Sequence, residues 1–253
     1  MVTSSLISRR FRNLRRDESL WTGLTLDLEN IKRDAESCRK LVDRCKKLSS
    51  LEITDKRKQS GLQRHPDSKD IMTVVSRAKK TLKSLKIDDS IQEWTPSAMA
   101  KLGRLENLQS LTLTFSTEPK EVNSHAGANM LKQLANHNQL EELKLSITIT
   151  ITTEYYYNFG YPQRSKSRPV LKRVFQQLDK LKKVEMRLPL GDYSNRLVVV
   201  IAENNPELQV LRFEGEEDHP ISDETLNILE ECCPDLREFA NGSIIINLYA
   251  IPM

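Results

Sequence analysis

The sequence predicts an α/β fold in which short parallel strands stack side by side and helices return the chain from each strand to the next. Three observations carry that prediction. A phrase of the form apolar-x-x-apolar-x-apolar recurs eight times in order along the 253 residues. Successive copies start 27, 34, 26, 32, 41, 27 and 28 residues apart, so the units are alike in size and some carry insertions. The segments between copies hold apolar residues three and four apart, the spacing of one helix face.

The copies are Trp21-x-x-Leu24-x-Leu26, Leu48-x-x-Leu51-x-Ile53, Leu82-x-x-Leu85-x-Ile87 and Leu108-x-x-Leu111-x-Leu113. They continue as Leu140-x-x-Leu143-x-Leu145, Leu181-x-x-Val184-x-Met186 and Leu208-x-x-Leu211-x-Phe213. The last, Leu236-x-x-Phe239, has Asn241 at its third apolar position. Alternation puts one face of each short strand inward. No such strand buries its leucines alone, so the copies must stack into one sheet, and phrase and period together are those of a leucine-rich repeat. The expected architecture is therefore a solenoid with parallel strands on its concave side and helices on its convex side.

The return segments fit that plan. Cys38, Leu41, Val42 and Cys45 form one apolar stripe; Ile71, Val74, Val75 and Ala78 form a second; Val170, Leu171, Val174 and Leu178 form a third. In the last full unit Ser222 is placed to N-cap a helix with Asp223 and Glu224 in its first turn. Ile221 and Leu226 are spaced for a hydrophobic staple, Leu229 with Cys232 or Cys233 faces inward, and Pro234 stops the helix. Three connections are longer. Asp55 to Asp70 is polar and reads as a mobile loop; Thr117 to Gly127 is a milder insertion. The third opens with alternating Leu145, Ile147, Ile149 and Ile151, which extends that strand beyond its neighbours. The apolar end, Ile244 to Ile251, is expected to lie down as a final strand or cap.

Composition bounds the function classes. With 34 leucines, 38% hydrophobic and 29% charged residues, the chain has enough apolar material for a packed core, and only 8 glycines and 10 prolines. No run of 18 apolar residues is present, and the first ten residues lack the apolar region of a secretory signal. A soluble protein of the cytosol or nucleus is expected. Cys38, Cys45, Cys232 and Cys233 form no C-x-x-C pair, and His65, His125, His137 and His219 are scattered, so reduced and mostly buried thiols fit best. The formal charge of +4 is unevenly spread: residues 203–238 carry 12 acids against 2 bases, a net of −10, which leaves +14 for residues 1–202.

Nothing in the sequence supports catalysis. It has no G-x-S-x-G elbow, no phosphate-binding loop and no H-E-x-x-H pair. Glu216-Glu217-Asp218 reads as a solvated charge run. The expectation is a non-enzyme with no cofactor and no metal.

Binding is the better-supported expectation. Between the inward residues of each strand lie Glu52 and Thr54, Lys86 and Asp88, Thr112 and Thr114, Glu142 and Lys144, Glu185 and Arg187, and Arg212 and Glu214. Their mixed signs suit a protein substrate on the concave face better than a phosphate backbone. A second candidate is the aromatic cluster Tyr155, Tyr156, Tyr157, Phe159 and Tyr161, either an interface anchor or a cover over the extended strand. The arginines of residues 9–16 raise a nucleic-acid alternative, but Leu6, Phe11 and Leu14 are spaced as the buried face of an amphipathic helix with its arginines outward.

The two ends carry a more specific resemblance. Ser8-Arg-Arg-Phe-Arg-Asn-Leu-Arg-Arg-Asp-Glu-Ser-Leu-Trp21 resembles the second half of an F-box, without its opening leucine-proline helix. Ile221-Ser-Asp-Glu-Thr-Leu, continuing through Cys232-Cys233-Pro234 to Leu236, is similar to the cysteine-containing repeat of F-box/leucine-rich-repeat proteins. The resemblance implies a partial F-box over residues 1–22 and a repeat domain over 23–253. It implies that Phe11, Leu14, Leu20 and Trp21 are what remains of a surface for a Skp-type adaptor and, through it, a cullin. The implied role is substrate recognition in an SCF-type ubiquitin ligase, with a stand-alone repeat scaffold or a basic nucleic-acid-associated protein as alternatives.

Overall fold

A computed structural model describes residues 21–54, 68–88, 95–117, 132–149, 167–187, 194–214, 221–241 and 244–247. Each copy of the phrase becomes one strand. In chain order these are β1 (Gly23–Asp27), β2 (Ser50–Thr54), β3 (Ser84–Asp88), β4 (Ser110–Thr117), β5 (Glu142–Ile149), β6 (Lys183–Arg187), β7 (Val210–Glu214) and β8 (Glu238–Asn241). They form a single parallel sheet in which every strand pairs with the next in sequence, closed by an antiparallel β9 (Ile244–Asn247).

Register follows the phrase without a slip. Leu24, Leu51, Leu85, Leu111, Leu143, Val184, Leu211 and Phe239 are successive partners across the sheet. Two residues on, Leu26, Ile53, Ile87, Leu113, Leu145, Met186 and Phe213 make a second row. The first apolar residue of each copy from Leu48 to Leu236 is also buried, and all three rows belong to one continuous core. A one-residue slip would turn a whole strand inside out, so this burial fixes the pairing.

One backbone device repeats at the head of every rung. A single carbonyl accepts two consecutive N–H groups of the next rung: Thr22 from Ser49 and Ser50, Ser49 from Lys83 and Ser84, and Lys83 from Gln109 and Ser110. Gln109, Glu141, Lys182 and Gln209 do the same further along. The turns are thereby held in the same register as the strands.

The return segments hold the helices α1 (Leu28–Arg33), α2 (Ala35–Arg44), α3 (Ser68–Val75) with a 3-10 turn over Ser76–Ala78, α4 (Pro96–Leu102), α5 (Ser167–Phe175), α6 (Ser194–Asn204) and α7 (Asp223–Cys232), of which α2, α3, α5 and α7 fall where the sequence predicts them. Local chemistry starts several of them. Asp34 caps α2 by accepting from the Ser37 N–H, Thr95 caps α4 with Pro96 at its first position, and Ser222 caps α7 as the sequence predicts. Leu229 and Cys233 face the core, while Cys232 is only half-buried.

Two expectations need correction. The polar connection expected to run as a loop to Asp70 ends earlier. Ser68, Lys69 and Asp70 are the first turn of α3, and Ser68 is fully buried, its hydroxyl accepting from the Thr95 N–H. The extension of β5 is present, but it has a partner that the sequence reading missed. β4 runs equally long, and Thr114 to Thr117 pair with Ser146 to Ile149. The third connection beyond Ile149, residues 118–131 and the aromatic cluster at 155–161 lie outside the described residues. The apolar end does form a strand, and its antiparallel pairing with β8 ends the parallel series.

Candidate functional site

Among the described residues, the sheet has one face on the core and one with no helix packed over it. The second face carries three columns of side chains. The middle one reads Thr25, Glu52, Lys86, Thr112, Lys144, Glu185, Arg212 and Ala240 from β1 to β8. Glu52, Lys86, Thr112, Lys144, Glu185 and Arg212 are among the positions the alternation marked as partner-facing, and the structure aligns them in this column, with Thr25 and Ala240 at its ends.

Their charges are mostly spent on one another. The Lys86 ammonium donates to the Glu52 carboxylate at 2.7 Å across neighbouring strands. Further along, Glu185 is the hub: Lys144 from β5, Lys183 from its own strand and Arg212 from β7 all reach its carboxylate. Arg212 in turn grips Glu238 with Nε and Nη2 in a two-pronged pair. Glu185 is 8% exposed, so its side chain is largely withdrawn into this network. Burial pushes its carboxyl up, but the hydrogen bonds and charges of Lys144 and Lys183 outweigh that and hold it below the usual range. The Arg212 hydrogen bond does the same for Glu238.

Between the two ionic groups lies a hydroxyl strip. Thr54, Ser84, Ser110, Thr112, Thr114 and Ser146 are half-buried on β2 to β5. Ser110 donates to Glu142 at 2.9 Å, while among the described residues Thr112 and Thr114 keep their side-chain hydroxyls without a partner. Arg187 is exposed. Asp88 and Glu214 hold their register places, but their side chains lie outside the described residues. The same is true of all of Phe11, Leu14 and Leu20, and of Tyr155, Tyr156, Tyr157, Phe159 and Tyr161. Trp21 is described: it is half-buried and packs against the start of the core.

Behind the sheet runs a feature the sequence reading passed over. Three residues before the first apolar of a copy comes a buried position, filled by Cys45, Leu105, His137, Leu178, Asn205 and Cys233 in turn. Asn205 accepts from the Leu181 N–H at 2.7 Å and donates to the Ile201 carbonyl, which ties β6 to the next turn. Cys233 points its thiol at the Asn205 carbonyl, and burial pushes its pKa up to about 12. His137 is 2% exposed, and neither ring nitrogen has a well-formed hydrogen bond among the described residues. Burial lowers its pKa, with the Leu105 carbonyl acting the other way. Aligning the copies three residues further upstream would have exposed this column.

Nothing in this arrangement gathers a nucleophile, a base and an acid. Among the described residues no three His, Cys, Asp or Glu side chains come together as metal ligands, and no helix is long and apolar enough to cross a membrane. What the geometry offers is a hydrogen-bonding surface whose charges are largely paired with one another. No protein-family model matches the sequence, and no curated protein is detectably similar to it.

Proposed function

We propose that this chain is a leucine-rich-repeat interaction module that captures a protein partner on the open face of its sheet, as substrate-recruiting subunits of SCF-type ubiquitin ligases do. The observation that carries the reading is the unbroken register of the parallel strands, which lines up one face for the core and leaves the opposite one uncovered among the described residues. Solenoids of this kind use such extended faces for binding. The hydroxyls of Thr112 and Thr114, without a partner among the described residues and flanked by ion pairs, supply directional hydrogen bonds without the cost of breaking exposed salt links. The ligase link rests on the F-box-like residues up to Trp21 and on the Cys232-Cys233-Pro234 repeat.

The test is affinity purification of the tagged chain from cells in which ubiquitin-dependent turnover is active. Recovery of a Skp-type adaptor and a cullin with a protein substrate is the expected result. Capture of a protein partner without adaptor or cullin would make the chain a stand-alone scaffold. Replacing Thr112 and Thr114 with lysine should abolish capture while leaving the far-ultraviolet dichroism unchanged. Retained capture would move the site off this face.

A further inference from the structure

We infer that the turn edge of the second, third and fourth rungs is a docking site for a short acidic segment of the protein partner. The turns that lead into β2, β3 and β4 carry Lys46, Lys47, Lys79, Lys80, Lys83 and Arg104 against one acid, Glu106. All six bases are exposed. Among the described residues Lys47, Lys79, Lys80, Lys83 and Arg104 have no carboxylate partner. The same edge is treated differently elsewhere. On the sixth rung Lys180 donates to Gln139 and Lys182 to Glu141, which raises the pKa of Lys182 by that hydrogen bond. On the last two rungs the turns bring in acids, Glu207 on the seventh and Asp235 beside Arg237 on the eighth. A general wish for solubility would not concentrate unneutralised charge on three adjacent turns.

Backbone geometry holds the cluster in place. Lys83 donates its N–H to Ser49 of the rung before and accepts from Gln109 and Ser110 of the rung after. In the third turn both Thr81 and Leu82 donate to Ala78, one residue further back than in the neighbouring turns, where Leu48 donates to Cys45 and Leu108 to Leu105. Three residues, Lys79, Lys80 and Thr81, thus fill a turn that holds two in its neighbours. Strand spacing puts the outer turns of the cluster about 10 Å apart, a distance covered by about three extended residues.

The observations favour an acidic peptide over a nucleic acid. Five of the six bases are lysines, point charges rather than the planar forks that grip phosphate in two places. The described residues of these turns include no aromatic side chain on which a base could stack. The inference rests on the protein-binding reading above but not on the ligase link, and it places a second, electrostatic contact beside the open face.

Fluorescence anisotropy of a labelled oligoglutamate peptide with the full chain tests it. Saturable binding that weakens steeply with added salt is expected. The variant Lys79→Glu/Lys80→Glu/Lys83→Glu should lose roughly tenfold or more in affinity. The control Lys172→Glu/Arg173→Glu/Arg196→Glu changes the net charge equally, on exposed positions of α5 and α6, and should bind as the parent does. Equal loss in both variants, tighter binding of a single-stranded oligonucleotide of matched charge through the same lysines, or no saturable peptide binding would each overturn the inference. If the lysine variant still captures the partner protein and the Thr112 and Thr114 variant does not, the edge site fails while the protein-binding reading stands.

Discussion

Leu111 and Thr112 are neighbours in sequence and opposites in energetics. Leu111 is completely buried in the row that runs through every strand, whereas Thr112 faces the open side. Leu111→Ala should cost about 2–5 kcal/mol in urea unfolding, and Thr112→Ala no more than about 0.5 kcal/mol. Glu185 tests the ionic hub. Its folded pKa lies below its unfolded one, so the stability it contributes is present above the ordinary value of 4.5 and is lost as pH falls through the lowered value. Glu185→Gln should therefore destabilise the protein by about 1–3 kcal/mol at neutral pH, with the difference closing in acid. His137 works on another range. Burial lowers its pKa from 6.5, so the unfolded chain takes the proton first, and stability falls as pH drops below that value. His137→Leu, which repeats what Leu105 and Leu178 do in the equivalent turns, should remove that decline from denaturation curves measured between neutral and mildly acid pH. Thiol labelling gives a further check: in the native state Cys232 should react with iodoacetamide well before Cys233, whose thiol is buried and has a pKa near 12.

At the scale of the element, most of what the sequence says is read from period and cap. The alternation of Leu, Ile and Val in each copy was enough to place every parallel strand, because a strand buried on one face leaves that mark whatever its neighbours are. Ser222 was legible as a cap for the same kind of reason: the capping hydroxyl acts within its own turn, accepting here from the Thr225 N–H. Ser222→Ala should lower the melting free energy by about 1 kcal/mol, read from the shift in urea midpoint. What period could not show are properties that depend on the next rung. The length of β4 matches that of β5 because the two pair along eight residues, although Thr117, opposite Ile149, ends the apolar alternation one step earlier than in β5. The burial of Glu185 was not legible because its three cationic partners come from β5, β6 and β7, and two of them are 27 and 41 residues away. The lysine edge was hidden likewise, since Lys47, Lys80 and Arg104 become neighbours only when the turns stack.

For the whole molecule the central claim is that chain order equals spatial order: the strands lie side by side in the sequence in which they are made. Everything proposed about binding depends on it, because the hydroxyl strip and the basic edge exist only if β2 to β5 are adjacent. Such a structure should also respond to damage as a quasi-one-dimensional object, its stability set by each rung and its two neighbours. The most direct measurement is a set of electron–electron dipolar distances between spin labels on the open face. One label is fixed at Thr25→Cys, and the second is placed at Lys144→Cys or at Arg212→Cys, with the native thiols shielded in the core or replaced. Strand spacing predicts a separation that grows by about 4.8 Å for each rung between the labels, four rungs in the first pair and six in the second. Distances that fail to increase in that order, or that scatter as in separate units, would contradict the account.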